Sequence, residues 1–474
     1  MDLRQSGEVP RDPRDVERIA ELEALVAKLV AQVEKLTARV QELEEQLGAS
    51  SRNSSKPPSS DPPTVTRPTK TPTGRKPGGQ PGHKRHQREL FPPEKVRSVT
   101  ECKPARCGSC QHSLRGTDPE PVRHQVADLP KVEPIVDEYR LHSLTCDRCG
   151  CRTRGELPAG VPTGAFGPTV IAVITLLLGV YGLSRRDVAE LVGDLFGLPI
   201  SVGGVVGCQK LGANALAPAH AQVQAQVPRA PVKYADETGW RLGNIYVCLW
   251  VVVTPAVTLF RIQAERSRAA ARAVLGKVSG LLGTDRYSAY DYWPQRKRQF
   301  CWAHLTRLFV RFTERSDPKT VAIGKALLME KDQMFQWWYR VRDGTLSRST
   351  FKRLMGPLKK RVFDLLDDAS RRARCAKTRR TCERLLKHFG SLWTFVRHEG
   401  IEPTNNTSER AVRRPVIIRK TSFGSQSDHG CRFLERVLTV HATLRQRGRS
   451  VHEFIVDSCR AHMSGAPAPS LFAA

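Results

Sequence analysis

The chain has 474 residues, with 76 Lys plus Arg against 47 Asp plus Glu, a formal charge of +29 and 40% apolar residues. That length suits about two to four domains, and the apolar fraction supports a real core. The charge excess tells against an acid-binding chaperone or an ordinary metabolic enzyme and favours a polyanion partner, either nucleic acid or an anionic membrane.

The membrane reading is the weaker of the two. The longest apolar runs, 170–183 and 245–260, are shorter than the roughly 20 residues of a spanning helix, and the second contains Pro255. The opening MDLRQSGEVPRD lacks an apolar signal-peptide core, so a cytoplasmic, nucleoid-associated protein is expected. Thirteen cysteines in a large chain of this kind do not suggest a disulfide framework.

Residues 19–47 carry the clearest periodicity. Ile19, Leu22, Val26, Leu29, Val33, Leu36, Val40, Leu43 and Leu47 are separated by alternating steps of three and four. That 3.5-residue period, with β-branched residues at most a positions and Leu at every d position, predicts a parallel two-stranded coiled coil. Residues 1–48 are therefore expected to be a dimerisation helix. Residues 49–100 read as a disordered linker rich in Pro, Ser, Gly and basic residues. Over 51–100 there are 11 Lys/Arg and 3 Asp/Glu, whereas the first 47 residues hold 7 and 11. The linker cations, Arg75, Lys76, Lys84 and Arg85 among them, suit phosphate contacts that read no base.

Residues 101–160 contain two CxxC knuckles, Cys107/Cys110 and Cys146/Cys149, separated by 35 residues. Four thiolates in two knuckles suit a tetrahedral structural Zn²⁺. Strand-like segments at 122–129 and 135–141 add a zinc-ribbon character, while Cys102 and Cys151 leave the ligand set open. Residues 161–228 look helical. Ser184 and Ser201 are N-cap candidates for two helices with helix–turn–helix spacing. Gly203, Gly204 and Gly207 weaken the second, and Lys210 is its only basic residue, so a plain helical hairpin fits at least as well.

From residue 231 the pattern turns to strands: one ending near Asp236, then 245–254, 257–263, 281–285 and 299–303, with a helix over 267–281. This order suits a ribonuclease-H-like core, with Asp236 on its first strand and Asp285 at the end of the fourth, its neighbour in such sheets. Both carboxylates then face one metal site. Glu237 and Asp291 are close competitors for these places, and Glu402 and Glu435 are candidates for a third acid. Of these, Glu435 reads as a solvated helix residue. Cys301 and His304 are too few for a second metal and read as core or substrate-positioning residues. Asn405, Asn406 and Thr407 are candidate helix caps. Arg410, Arg413, Arg414, Arg419 and Lys420 follow within a short stretch and suit phosphate binding.

The segments YADETGW (234–240), TDRYSAYD (284–291), CWAHLTR (301–307) and TNNTSERAVRRPVIIRKTSFGS (404–425) resemble transposases of the insertion-sequence-66 family. The GRKPGGQPGH stretch, the double CxxC region and the leucine seam resemble it too, in the same order. The resemblance implies a DDE transposase with Asp236, Asp285 and Glu409 as its acidic triad, at intervals of 49 and 124 residues. It also implies Mg²⁺ or Mn²⁺ at those acids, transposon ends and target DNA as substrates, a homodimer or larger homo-oligomer, and accessory proteins of the same element. The expected fold is multidomain α+β: coiled coil, zinc-ribbon-like module, helical domain and a ribonuclease-H-like core (229–310 and 401–474) split by a helical insertion (311–400). Two other readings use part of these features: a zinc-containing dimeric DNA-binding regulator, and a structure-specific nuclease of the same fold.

The seam gives a direct test. A fragment of residues 1–48 should sediment as a dimer at micromolar concentration, and Leu29→Lys with Leu36→Lys should make it monomeric. A monomeric wild-type fragment would refute the coiled coil.

Overall fold

The computed structural model describes residues 13–54, 61, 89–159 and 161–472. The cations Arg75, Lys76, Lys84 and Arg85 lie outside the described residues. The chain divides into two units, one within 66–138 and 190–200 and the other made of the remainder. In the smaller unit, Cys107 begins a tight turn: its N–H donates to His112 O at 2.8 Å and its carbonyl accepts from Gln111 N at 3.0 Å. Val122, Val126, Leu129 and Ile135 are exposed, and no strand forms over 122–129 or 135–141, contrary to expectation. A β-rich segment with no partner strand has no ladder to join.

In the larger unit, helix α1 (Pro13–Leu47) is a single 35-residue helix. Its seam residues are 43–87% exposed, so the apolar stripe of the single chain is uncovered. A short hairpin, β1 (Ser143–Thr145) and β2 (Arg152–Arg154), brackets the second knuckle. There the Cys146 N–H donates to Cys151 O and its carbonyl accepts from Gly150 N, a residue at φ +70°. Next come helices α2 (Pro168–Gly179), α3 (Arg185–Phe196), whose residues from 190 on fall in the smaller unit, α4 (Val202–Ala215) and α5 (Ala217–Gln226). Ser201 caps α4 by accepting from Gly204 N. A Cβ on Gly212 would come within 2.1 Å of Thr175 Oγ1, so this glycine lets α4 lie directly on α2.

The mixed sheet follows. Strands β3 (Val232–Leu242), β4 (Ile245–Val253) and β5 (Thr258–Gln263) form an antiparallel meander. Helix α6 (Arg268–Leu275), capped by Ser267, leads to β6 (Leu281–Thr284), and β7 (Arg298–Phe300) comes next. The sheet order is β5-β4-β3-β6-β7, with β6 parallel to both β3 and β7. One point departs from expectation. Strand β3 runs six residues past Asp236, because Gly243, at φ +56°, and Asn244 make a tight hairpin and let Leu242 pair with Ile245. Between β6 and β7 there are only 3₁₀ turns, at 288–290 and 295–297.

Helices complete the unit: α7 (Trp302–Thr313), α8 (Pro318–Arg342), α9 (Arg348–Arg372), α10 (Ala376–Lys387), α11 (Thr394–Arg397), α12 (Asn406–Ser422), α13 (Asp428–Gln446) and α14 (Val451–Ser464). Helices α8 to α11 occupy the expected insertion, and Trp338 on α8 packs edge-on against Phe395 in its core. Among the described residues no helix is long and apolar enough to cross a membrane. No disulfide forms among the described cysteines.

Strand β5 is an edge, and α13 covers it with a matched ladder. The N–H groups of Thr258, Phe260 and Ile262 donate to Thr443 Oγ1 (3.2 Å), Thr439 Oγ1 (2.9 Å) and Glu435 Oε1 (2.6 Å). Two residues of strand advance about 6.8 Å and four residues of helix about 6 Å, so the two repeats stay in step. Glu435 is therefore not a solvated residue: its side chain is 1% exposed and also accepts from Arg432 at 2.7 Å. Thr439→Val keeps the shape but leaves the Phe260 N–H unpaired. Urea unfolding should show a loss of about 1–3 kcal/mol, and an unchanged midpoint would mean the ladder contributes nothing.

Candidate active site

Strands β3 and β6 bring two acids together. Their parallel register ends at Tyr234 opposite Gly283, and Asp236 and Asp285 each follow two residues later. Gly283 is needed for this approach, since a Cβ there would lie 2.6 Å from the Tyr234 ring. The Asp236 carboxyl is held well above the usual carboxylate range, first by burial and then by the charges of Glu237, Asp285 and Glu409. Its Oδ1 accepts from the Glu237 N–H at 2.9 Å, which opposes that shift. Asp285 Oδ1 accepts from Tyr287 N at 2.8 Å. Among the described residues no Lys, Arg or His lies within ion-pair distance of Asp236 or Asp285.

The competing acids are all engaged. Glu237, with its side chain 1% exposed, accepts from Arg266 Nε and Nη2 at 3.0 and 2.6 Å and from the Tyr290 hydroxyl. Asp291 pairs with Arg298 at 2.7 Å, and Glu402 accepts from Trp338 Nε1 at 3.2 Å. The buried Arg298 also donates to Thr284 Oγ1 and to the carbonyls of Asp285 and Tyr287, which fixes the loop that carries Asp285. Nothing in the basic run Arg296-Lys297-Arg298 marked the third residue as the buried one.

Glu409 lies in the first turn of α12, where the helix dipole favours a carboxylate. The helix begins at Asn405, as expected, yet the Asn405 side chain does not cap it. Instead Asn405 Nδ2 donates to Ala235 O at 2.9 Å, next to Asp236, and its backbone N–H donates to Cys301 Sγ at 3.1 Å. Its Oδ1 is buried without a hydrogen-bond partner. Glu409 itself approaches His304 Nδ1 at 3.4 Å, Cys301 Sγ at 3.8 Å and Arg307 at 3.8 Å.

The cations on α12 separate into two groups. Arg414 donates to Val180 O at 2.7 Å, and Arg419 to Thr238 Oγ1 and Gly239 O, so both heads are tied within the chain. Arg410, Arg413 and Lys420 are exposed.

The Transposase IS66 family matches residues 163–432, which include Asp236, Asp285 and Glu409. The chain belongs to that family. A family of unknown function, DUF6444, matches residues 9–89, across the leucine seam and the basic linker. An uncharacterized protein, y4hP, of Sinorhizobium fredii is 21% identical over 388 residues, 74% of this chain and 69% of that protein. A second from the same organism, y4qI, is 23% identical over 229 residues, 46% of this chain and 42% of its own length. The IS66 match ends inside α13, so the Glu435 end of the ladder lies beyond it.

Proposed function

We propose that this IS66-family chain is a DDE transposase that cuts and joins DNA at Asp236, Asp285 and Glu409. The observation that carries the proposal is the pair Asp236 and Asp285, one on β3 and the other just past the end of β6, with no ion-paired cation among the described residues and within the field of Glu409. Like charges held close without an ion-pair partner call for a cation. The donor set is hard oxygen, which suits Mg²⁺ or Mn²⁺, and the orphaned Asn405 Oδ1 adds a buried acceptor nearby. The sheet order β5-β4-β3-β6-β7, with a helical insertion before α12, supports a ribonuclease-H-like core.

When bound, the metal supplies charge for a phosphate undergoing in-line displacement. The residues of the chain do the rest. Asp236 is held inside the paired length of β3, and Asp285 directly follows the last residue of β6. Asn405 ties the start of α12 to β3, which sets the distance of Glu409 from Asp236. Arg410, Arg413 and Lys420 offer free cations for DNA phosphates, with Arg75, Lys76, Lys84 and Arg85 on the linker. Arg414 and Arg419 act inside the chain, holding α12 to the residues around it. In each knuckle, backbone N–H groups point at the first sulfur and hold the Cys107 and Cys146 thiols below the usual range. Cys107, Cys110, Cys146 and Cys149 would hold Zn²⁺ as a structural ion. The exposed seam of α1 supports pairing of two copies.

Asp236→Asn, Asp285→Asn and Glu409→Gln should each reduce cleavage and joining of a labelled transposon end by about 10²–10⁴, several kcal/mol of transition-state stabilisation. Binding of the same DNA should hold or tighten, because the lost charges repel phosphate. Asp457→Asn, at an exposed pair with Arg460 on α14, serves as the control. Full joining by all three site variants would sink the proposal.

The zinc reading has its own test. Replacing Cys107 and Cys146 with Ser should lower the zinc content of purified protein by about one ion per chain. An unchanged zinc content would remove these thiols from the ligand set.

A further inference from the structure

Beside the acidic pair lies a second set of donors with a different chemistry. Cys301 Sγ, His304 Nδ1 and a Glu409 carboxylate oxygen all lie within 4.8 Å of one another, the only such group of three or more among the described residues. Cys301 is the N-cap of α7 and His304 sits three residues on, so both project from one face of the first turn. His304 Nδ1 is buried and has no hydrogen-bond partner, although it faces Glu409 Oε1 at 3.4 Å.

We propose that Cys301, His304 and Glu409 form a binding site for one thiophilic divalent cation of the zinc class. The spacings fit. With metal–nitrogen and metal–oxygen bonds of about 2.0–2.1 Å and a metal–sulfur bond of about 2.3 Å, tetrahedral geometry puts nitrogen and oxygen about 3.4 Å apart and sulfur and oxygen about 3.6 Å apart. The observed separations are 3.4 and 3.8 Å. Three protein ligands leave one position for water.

The surroundings of the sulfur point the same way. The backbone N–H of Asn405 donates to Cys301 Sγ at 3.1 Å, a contact that stabilises a sulfur anion. The Cys301 S–H donates to Glu409 at 3.8 Å. On metal binding the thiol proton leaves to solvent and the metal–sulfur bond forms, so that two anions face one dication. A hard ion such as Mg²⁺ gains little from sulfur and imidazole, so the two classes of cation sort between Asp236/Asp285 and Cys301/His304. Glu409 is shared by both. Occupancy by a zinc-class ion therefore withdraws Glu409 from the acidic pair and inhibits strand joining. That consequence rests on the function proposed above; the binding itself does not.

The test uses the full-length chain, stripped with a chelator and dialysed against Zn²⁺, and against Co²⁺ for spectroscopy. Wild type should hold one more equivalent per chain than Cys301→Ser or His304→Gln, with the knuckle ion common to all three. The cobalt–thiolate absorption should fall in Cys301→Ser, and circular dichroism should confirm that each variant is folded. Equal metal content in folded wild type and both variants would overturn the site. In Mg²⁺, added micromolar Zn²⁺ should slow joining at least tenfold in wild type and leave Cys301→Ser at its own Mg²⁺ rate. Zinc sensitivity that persists in Cys301→Ser would overturn the inhibitory role. If the equivalent is lost in the variants while Asp236→Asn still joins DNA, the metal site stands and the DDE reading falls.

Discussion

Like-charge repulsion is the constraint around which the larger unit is arranged. Asp236, Glu237, Asp285 and Glu409 share one region, and bringing carboxylates together in a partly buried place is unfavourable unless something opposes their mutual field. The protein neutralises one of them: Glu237 is clamped by Arg266, whose guanidinium stacks 4.0 Å above the Tyr287 ring. Glu409 receives weaker company from His304 and Arg307. The other two form no ion pair among the described residues, so the backbone must hold them there. Parallel pairing of β3 and β6 does this for the strands, and the four donations of the buried Arg298 do it for the loop after Asp285.

Much of this scaffold was legible from residue pattern. The apolar run of β4, IYVCLWVVV, reads as a strand covered on both faces, and seven of its nine residues are buried. The Ser caps of α4 and α6 do what Ser at those positions should do. The positions of Asp236 and Asp285 also followed from strand order, because neighbours in a sheet are set by topology rather than by local composition. The identity of the third acid did not follow from pattern. Glu402, Glu409 and Glu435 are alike in spacing arguments, and only family resemblance separated them.

What the pattern could not carry was partner choice across long separations. Glu435 looked like a solvated helix residue because its neighbours Arg432 and Arg436 are charged, yet it is the acceptor for an edge-strand N–H 173 residues away. Asn405 looked like a helix cap, yet its amide is used on β3, 170 residues away. Side-chain donors and acceptors are short and adaptable, so their use is decided by whatever unpaired backbone group the fold brings near. The same limit applies to Cys301 and His304. Two donors at helical spacing are too few for a metal, and the third arrives on a different helix 105 residues later than His304.

That third donor also explains how a long insertion is tolerated inside the site. The interval from Asp285 to Glu409 is 124 residues, but loop-closure entropy grows only with the logarithm of length. What matters is that the chain returns to a defined point. The start of α12 is fixed from three sides. Asn405 binds Ala235 on β3, the Trp302 N–H at the head of α7 donates to Pro403 O, and Trp338 of the insertion donates to Glu402, whose own N–H meets the Tyr234 hydroxyl. Strand, connecting helix and insertion therefore converge on the four residues before Asn406. Any displacement of α8 that carries Trp338 pulls on Glu402, seven residues before Glu409 on the same backbone. The insertion is thus mechanically continuous with the helix that carries Glu409.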